Sequence, residues 1–113
     1  MLPLNKPLAE YDSVKVWLGG YAKQWGTHPE EDTARLQVLE AFCTFIGKAP
    51  DEIISECLRQ VEEGQKIRTR ARRSYIEKIQ EFEARTGGSR TQGNIVRSFF
   101  IYNGVAMSAE ILR

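Results

Sequence analysis

One histidine, two cysteines and no apolar run longer than a few residues set the first limits on this sequence. With His28 alone, paired imidazoles are out of reach. Neither Cys43 nor Cys57 has a second cysteine or a histidine at zinc-ligand spacing. The short apolar runs contain nothing that would span a bilayer. The opening Met1-Leu2-Pro3-Leu4-Asn5-Lys6-Pro7 lacks the charged start and continuous apolar stretch of a secretory signal. Glycine-rich phosphate loops, nucleophile elbows and His-Glu metal motifs are missing. The acidic pairs Glu30-Glu31, Asp51-Glu52 and Glu62-Glu63 are explained by helix ends that favour negative charge. These absences predict a cytoplasmic chain with no catalytic site, metal or cofactor. They also predict that both thiols are free and buried.

What is present is an uneven distribution of charge. The 113 residues carry a net charge of only +1, but residues 1–63 hold 6 Lys/Arg against 11 Asp/Glu, and residues 64–113 hold 10 against 4. A near-neutral total thus conceals an acidic first half and a basic second half, the pattern of a surface that meets a polyanion. The length is that of one domain with a single core.

Apolar spacing predicts an all-α fold, a compact bundle of four or five helices. Residues 1–10, with two of the four prolines, read as a flexible lead-in. A first helix is expected after Asp12 or Ser13 as N-cap, with Val14, Trp17, Leu18 and Tyr21 on one face and Gly19-Gly20 weakening it. Pro29 and the acids after it open a second helix, apolar around most of its circumference and stopped by Gly47. Pro50 opens a third, whose buried face takes in Ile53, Ile54, Cys57, Leu58 and Val61. Gly64 breaks the chain before a fourth over roughly 67–85, with Ile67, Ala71, Tyr75, Ile79 and Phe82 inward. Ser89-Arg90-Thr91-Gln92 reads as a capping box for the last helix, which buries Ile95, Val96, Phe99, Phe100 and Tyr102 and ends at Asn103-Gly104.

Binding features are concentrated in the second half. Lys66-Ile67-Arg68-Thr69-Arg70-Ala71-Arg72-Arg73 holds five positive charges and no acid. Lys66, Arg70 and Arg73 fall opposite the expected core face and can meet phosphates. On the last helix, Arg90, Asn94, Arg97 and Ile101 recur at i, i+4, i+7 and i+11. Arg and Asn are the residue types that read guanine and adenine edges. Gly93 beside them would permit close backbone approach, and Thr91 with the first N–H groups would hold a phosphate.

Two stretches resemble a known family. Leu39-Glu40-Ala41-Phe42-Cys43-Thr44-Phe45-Ile46-Gly47-Lys48-Ala49-Pro50-Asp51-Glu52-Ile53-Ile54 is similar to the F-C-x-F-x-G-K-x-P-D-E-L-I stretch of many prokaryotic integrase-like sequences. Ser89 to Val105 is similar to the S-x-x-T-x-x-x-x-x-x-x-R-x-F-F-x-x-N-G-V/I ending of the same family, the tyrosine recombinases of phage-integrase type, with its R-x-F-F-x-x-N-G-V part in register over Arg97 to Val105. The resemblance implies a SAM-like core-binding domain over residues 11–105. Such a domain clamps double-stranded DNA for integration and recombination carried out by a separate C-terminal catalytic domain. Residues 106–113 would begin the linker to that absent domain, and other recombinase protomers on the DNA would be further partners. Carried over, the DNA-contacting candidates are Arg90, Thr91, Asn94 and Arg97, with Thr33, Gln37 and Lys48 on the second helix. Arg97 has an alternative role bracing the core. The family's nucleophilic tyrosine needs arginines, a lysine and histidines that this chain cannot assemble. Tyr11, Tyr21, Tyr75 and Tyr102 read as core or rim aromatics. The rival reading is a helical protein-interaction module, because bundles of this kind serve both purposes.

Overall fold

Helix-stop glycines, prolines at first turns and aromatic stripes mark out five α-helices among the described residues. A computed structural model describes residues 4–87 and 90–107. After a 3-10 turn at Leu8–Glu10 come α1 (Asp12–Trp25), α2 (Pro29–Ile46) and α3 (Pro50–Cys57). A hairpin of β1 (Leu58–Val61) and β2 (Gly64–Ile67) follows, then α4 (Thr69–Arg85) and α5 (Arg90–Tyr102). The molecule is therefore mostly helical, but it is not strictly all-α.

The hairpin overturns two expectations. The third helix ends at Cys57, so Leu58 and Val61 lie on a strand and not on its buried face. The fourth helix begins at Thr69, which leaves Ile67 on β2 and exposed. Gly64, at φ +127°, closes a two-residue turn over Glu62-Glu63 that only glycine reaches without strain.

Helix α1 has its N-cap at Tyr11, one residue before the earlier of the two expected caps, so Asp12 and Ser13 are its first residues. The hydroxyl and backbone N–H of Ser13 both donate to Asp51 Oδ1, at 2.6 and 2.9 Å, so α3 caps α1 from across the bundle. Partial burial pushes the Asp51 carboxyl up. The Ser13 hydroxyl, the Ser13 and Asp12 backbone and the Lys6 charge together outweigh that and hold it below its ordinary value. Gly19-Gly20 does not end the helix. Gly20 lies under the Tyr102 ring, where a Cβ would overlap the ring carbons. Residues 1–10 are not all lead-in either: Leu8 is buried, and the Tyr11 hydroxyl donates to Asn5 Oδ1 at 3.0 Å. The expected Ser89 capping box lies outside the described residues.

Helix α5 is the axis of the core, in contact with α1, α2 and α4. Val96, Phe99 and Phe100 are fully buried. Trp17 meets Phe99 edge to face with ring centroids 5.6 Å apart, and its indole N–H donates to Ser98 Oγ at 3.0 Å, so the buried ring leaves no polar atom without a partner. The helix ends as a Schellman turn: the Val105 N–H reaches the Phe100 carbonyl, the Gly104 N–H reaches Ile101, and Val105 itself is fully buried. Asn103 ties this end to α1 by donating to the Ser13 carbonyl at 3.0 Å.

Cys43 and Cys57 are both free and buried. Desolvation, with the neighbouring Glu40 charge, pushes the Cys43 thiol to about 12; burial and Glu56 push Cys57 to about 11. Both behave as small apolar groups.

Candidate nucleic-acid interface

The positive charge of the second half gathers where β2 runs into α4. Lys66 stands on β2, Arg68 is the residue before α4, and Arg70 and Arg73 occupy its first turns; all four are exposed. None of them is ion-paired among the described residues. The first turn of α4 contains no acid and receives no side-chain cap. Its free N–H groups therefore add to the positive potential where helices usually carry carboxylates. Arg72, the fifth cation of the segment, is engaged elsewhere. Its Nε donates to the Ala106 carbonyl at 2.6 Å and fastens the chain beyond α5 to the side of α4.

The candidates on α5 divide. Arg97 is 8% exposed, and its two terminal nitrogens donate to the two carboxylate oxygens of Glu83 on α4 at 2.8 and 2.9 Å. Nη1 also donates to Asn94 Oδ1 at 3.1 Å. The Arg97 hydrogen bonds hold the Glu83 carboxyl below its ordinary value against the opposing effect of partial burial, with the Arg97 and Arg90 charges adding to the shift. Gly93 serves the same contact, since a Cβ there would overlap the Glu83 side chain. The close approach expected of this glycine is thus made by a carboxylate of the protein itself. Arg97 and Asn94 brace α5 against α4, and only Arg90 and Thr91 remain exposed at the start of the helix.

The two outward basic points are well separated. Arg90 stands one turn before Gly93, which packs on Glu83 near the end of α4, and Arg70 stands in the first turn of α4, with roughly 20 Å of helix between Arg70 and Glu83.

The α2 candidates are not gathered with either point. The Thr33 hydroxyl donates back to the Pro29 carbonyl at 3.0 Å. Gln37 is exposed in a shallow groove beside Glu40, Thr44 and Phe45. Lys48 is occupied: its Nζ donates to both Glu56 oxygens at 2.6 and 2.8 Å, and the Tyr75 hydroxyl donates to the same carboxylate at 2.6 Å. Partial burial raises Glu56, but the Lys48 and Tyr75 hydrogen bonds with the Lys48 and Lys78 charges outweigh it and hold it low. Burial and the bond to Glu56 push Tyr75 well above the usual phenol range. The acids opening α2 serve Arg35, which pairs with Glu31 and Asp32 and lies 3.8 Å over the Tyr21 ring. His28 has its Nε2 2.9 Å from the Trp25 carbonyl, at the turn between α1 and α2.

Two further exposed cations join the surface that the sequence candidates outline. Arg68 continues the line from Lys66 to Arg70, and Arg59 is set directly opposite Lys66 by the hairpin register. Arg68 is visible in the basic run; Arg59 carries no signal without the hairpin. Compared with known proteins, the chain matches no family model, no curated protein and no solved structure. The resemblance to tyrosine recombinases rests on its two stretches of sequence.

Proposed function

We propose that this chain is a double-stranded DNA-binding module, the core-binding domain with which a tyrosine recombinase grips its site. The observation that carries the reading is the cluster Lys66, Arg68, Arg70 and Arg73. It is exposed, without ion pairs among the described residues, and built around a helix start that has neither acid nor cap. A protein gains nothing in stability from like charges held together at the positive end of a helix dipole; a phosphate backbone relieves that repulsion. Arg90 and Thr91 supply a second contact some 20 Å along α4, a distance of about six base pairs at 3.4 Å each. Contacts of this kind position a duplex without reading its sequence. Strand cleavage and rejoining in the parent recombinase belong to the separate catalytic domain, and other protomers would occupy the same DNA.

Fluorescence anisotropy of a labelled random-sequence duplex across a salt series tests the reading. Binding is expected to weaken steeply with salt, and Arg70→Ala/Arg73→Ala to lower the log–log slope by about 2. Salt-independent binding, or none at low salt, rejects it and turns attention to a protein partner.

A further inference from the structure

We infer that the exposed face of the β1–β2 hairpin extends the DNA surface, with Arg59 and Lys66 at its base binding neighbouring phosphates of one strand of the duplex. The inference rests on the DNA-binding reading and adds to it a residue that is distant in sequence from the basic run.

Apart from Leu58, which packs partly buried against the core, the hairpin lies outside it. Every residue of β2 is exposed, and β1 buries none of its residues fully. Its ends meet at one hydrogen bond, from the Arg68 N–H to the Cys57 carbonyl at 2.7 Å, so it stands as an appendage between α3 and α4. Alternation along the strands gives it two unlike faces. Gln60 and Gln65, paired across the ladder, overlook a cleft bordered by Ser13, Asp51 and Asn103. Arg59 and Lys66, also directly paired, occupy the opposite face, and both are exposed.

A like-charged pair in direct cross-strand register destabilises a two-stranded sheet. Opposite charges at these positions would have kept the strand edges polar and added stability, so keeping edges soluble does not account for two cations. Their Cα atoms stand about 5 Å apart, as in any antiparallel pair, and phosphates along one strand rise by about 3.4 Å. Two long side chains from such a pair can therefore each take one phosphate. Arg68 and Arg70 continue the line at the foot of the hairpin. The turn carries Glu62 and Glu63, which repel phosphate, so the duplex crosses the base of the ribbon and the tip points away from it.

Duplex-binding isotherms across a salt series decide this, comparing the unmodified chain with Arg59→Gln/Lys66→Gln, Glu62→Gln/Glu63→Gln and Arg70→Ala/Arg73→Ala. The expected result is a slope lower by about 2 for Arg59→Gln/Lys66→Gln and an unchanged slope for Glu62→Gln/Glu63→Gln. If Arg59→Gln/Lys66→Gln lowers the slope by only about 1, the loss is that of Lys66 and Arg59 is off the DNA; if it lowers it not at all while the helix variant does, the hairpin is off the DNA and the parent reading stands on Arg68, Arg70 and Arg73. A severalfold gain in affinity from Glu62→Gln/Glu63→Gln would put the tip at the DNA and overturn the stated orientation. Should the unmodified chain show no salt-dependent binding to any duplex, both readings fall together. A photo-crosslinking side chain at position 59, compared with one at 62, reads the same geometry without removing a charge: adducts from 59 and not from 62 support it, and the reverse overturns it.

Discussion

Helical arithmetic sets Arg97 across from Phe99 but one turn from Phe100 on the same side of α5, and α4 packs along that part of the helix. There Arg97 closes a two-point bond with Glu83. Arg97→Ala is expected to cost about 3 kcal/mol in urea denaturation, the low end for leaving a buried charge without its partner. Arg97→Met with Glu83→Leu should recover most of that loss. In duplex binding, folded Arg97→Ala should keep the unmodified salt slope; a slope lower by one would make it a phosphate contact. Asp51 and Glu83, with ordinary values of 3.8 and 4.5, are both held lower in the fold. A carboxyl lowered on folding contributes stability above its unfolded pKa and loses it as pH falls through the folded value. Urea midpoints are therefore expected to hold steady down to about pH 5 and decline below about pH 4, and Glu83→Gln should flatten part of that decline.

At the scale of elements, the two neighbouring glycines of α1 give opposite predictions. Gly19 has open space around it and helical backbone, so Gly19→Ala should stabilise by roughly 0.5–1 kcal/mol. Gly20 is covered by the Tyr102 ring, and Gly20→Ala should lower the melting temperature by forcing α1 and α5 apart. Thermal melts of the two variants check both. The residues behind the recombinase resemblance also shape the fold directly: Gly47 stops α2 at φ +72°, Pro50 opens α3, and Asn103, Gly104 and Val105 close α5. Glycine stops, first-turn prolines and aromatic stripes were legible in the sequence because they depend on neighbours within a few residues; the cap of α1 was not, because it comes from Asp51 on α3. The hairpin was not legible. Leu58 and Val61 extend the helical spacing of Ile54 and Cys57, and strands of four residues are too short to show alternation. Of the candidate interface, the basic run could be read directly, but Arg59 needed the cross-strand register, and the internal ties of Lys48, Asn94 and Arg97 needed helix partners distant in sequence.

The fold of the described residues is organised around α5, which is made after the helices it joins. Trp17, Tyr21 and Tyr75 all pack against residues of α5, and Val105 lies in the same core as its terminal plug. A chain ending before Arg90 should therefore keep some helix yet lose its cooperative unfolding transition, a loss that circular dichroism in a urea series would show. In a cell the order of synthesis gives this arrangement a cost in time. A helix forms within about a microsecond, whereas at ~5–20 residues per second the ribosome needs roughly 4–15 s to pass from the end of α1 to the end of α5. For those seconds Trp17 and Tyr21 wait without Phe99 and Tyr102, the rings that cover them in the finished fold.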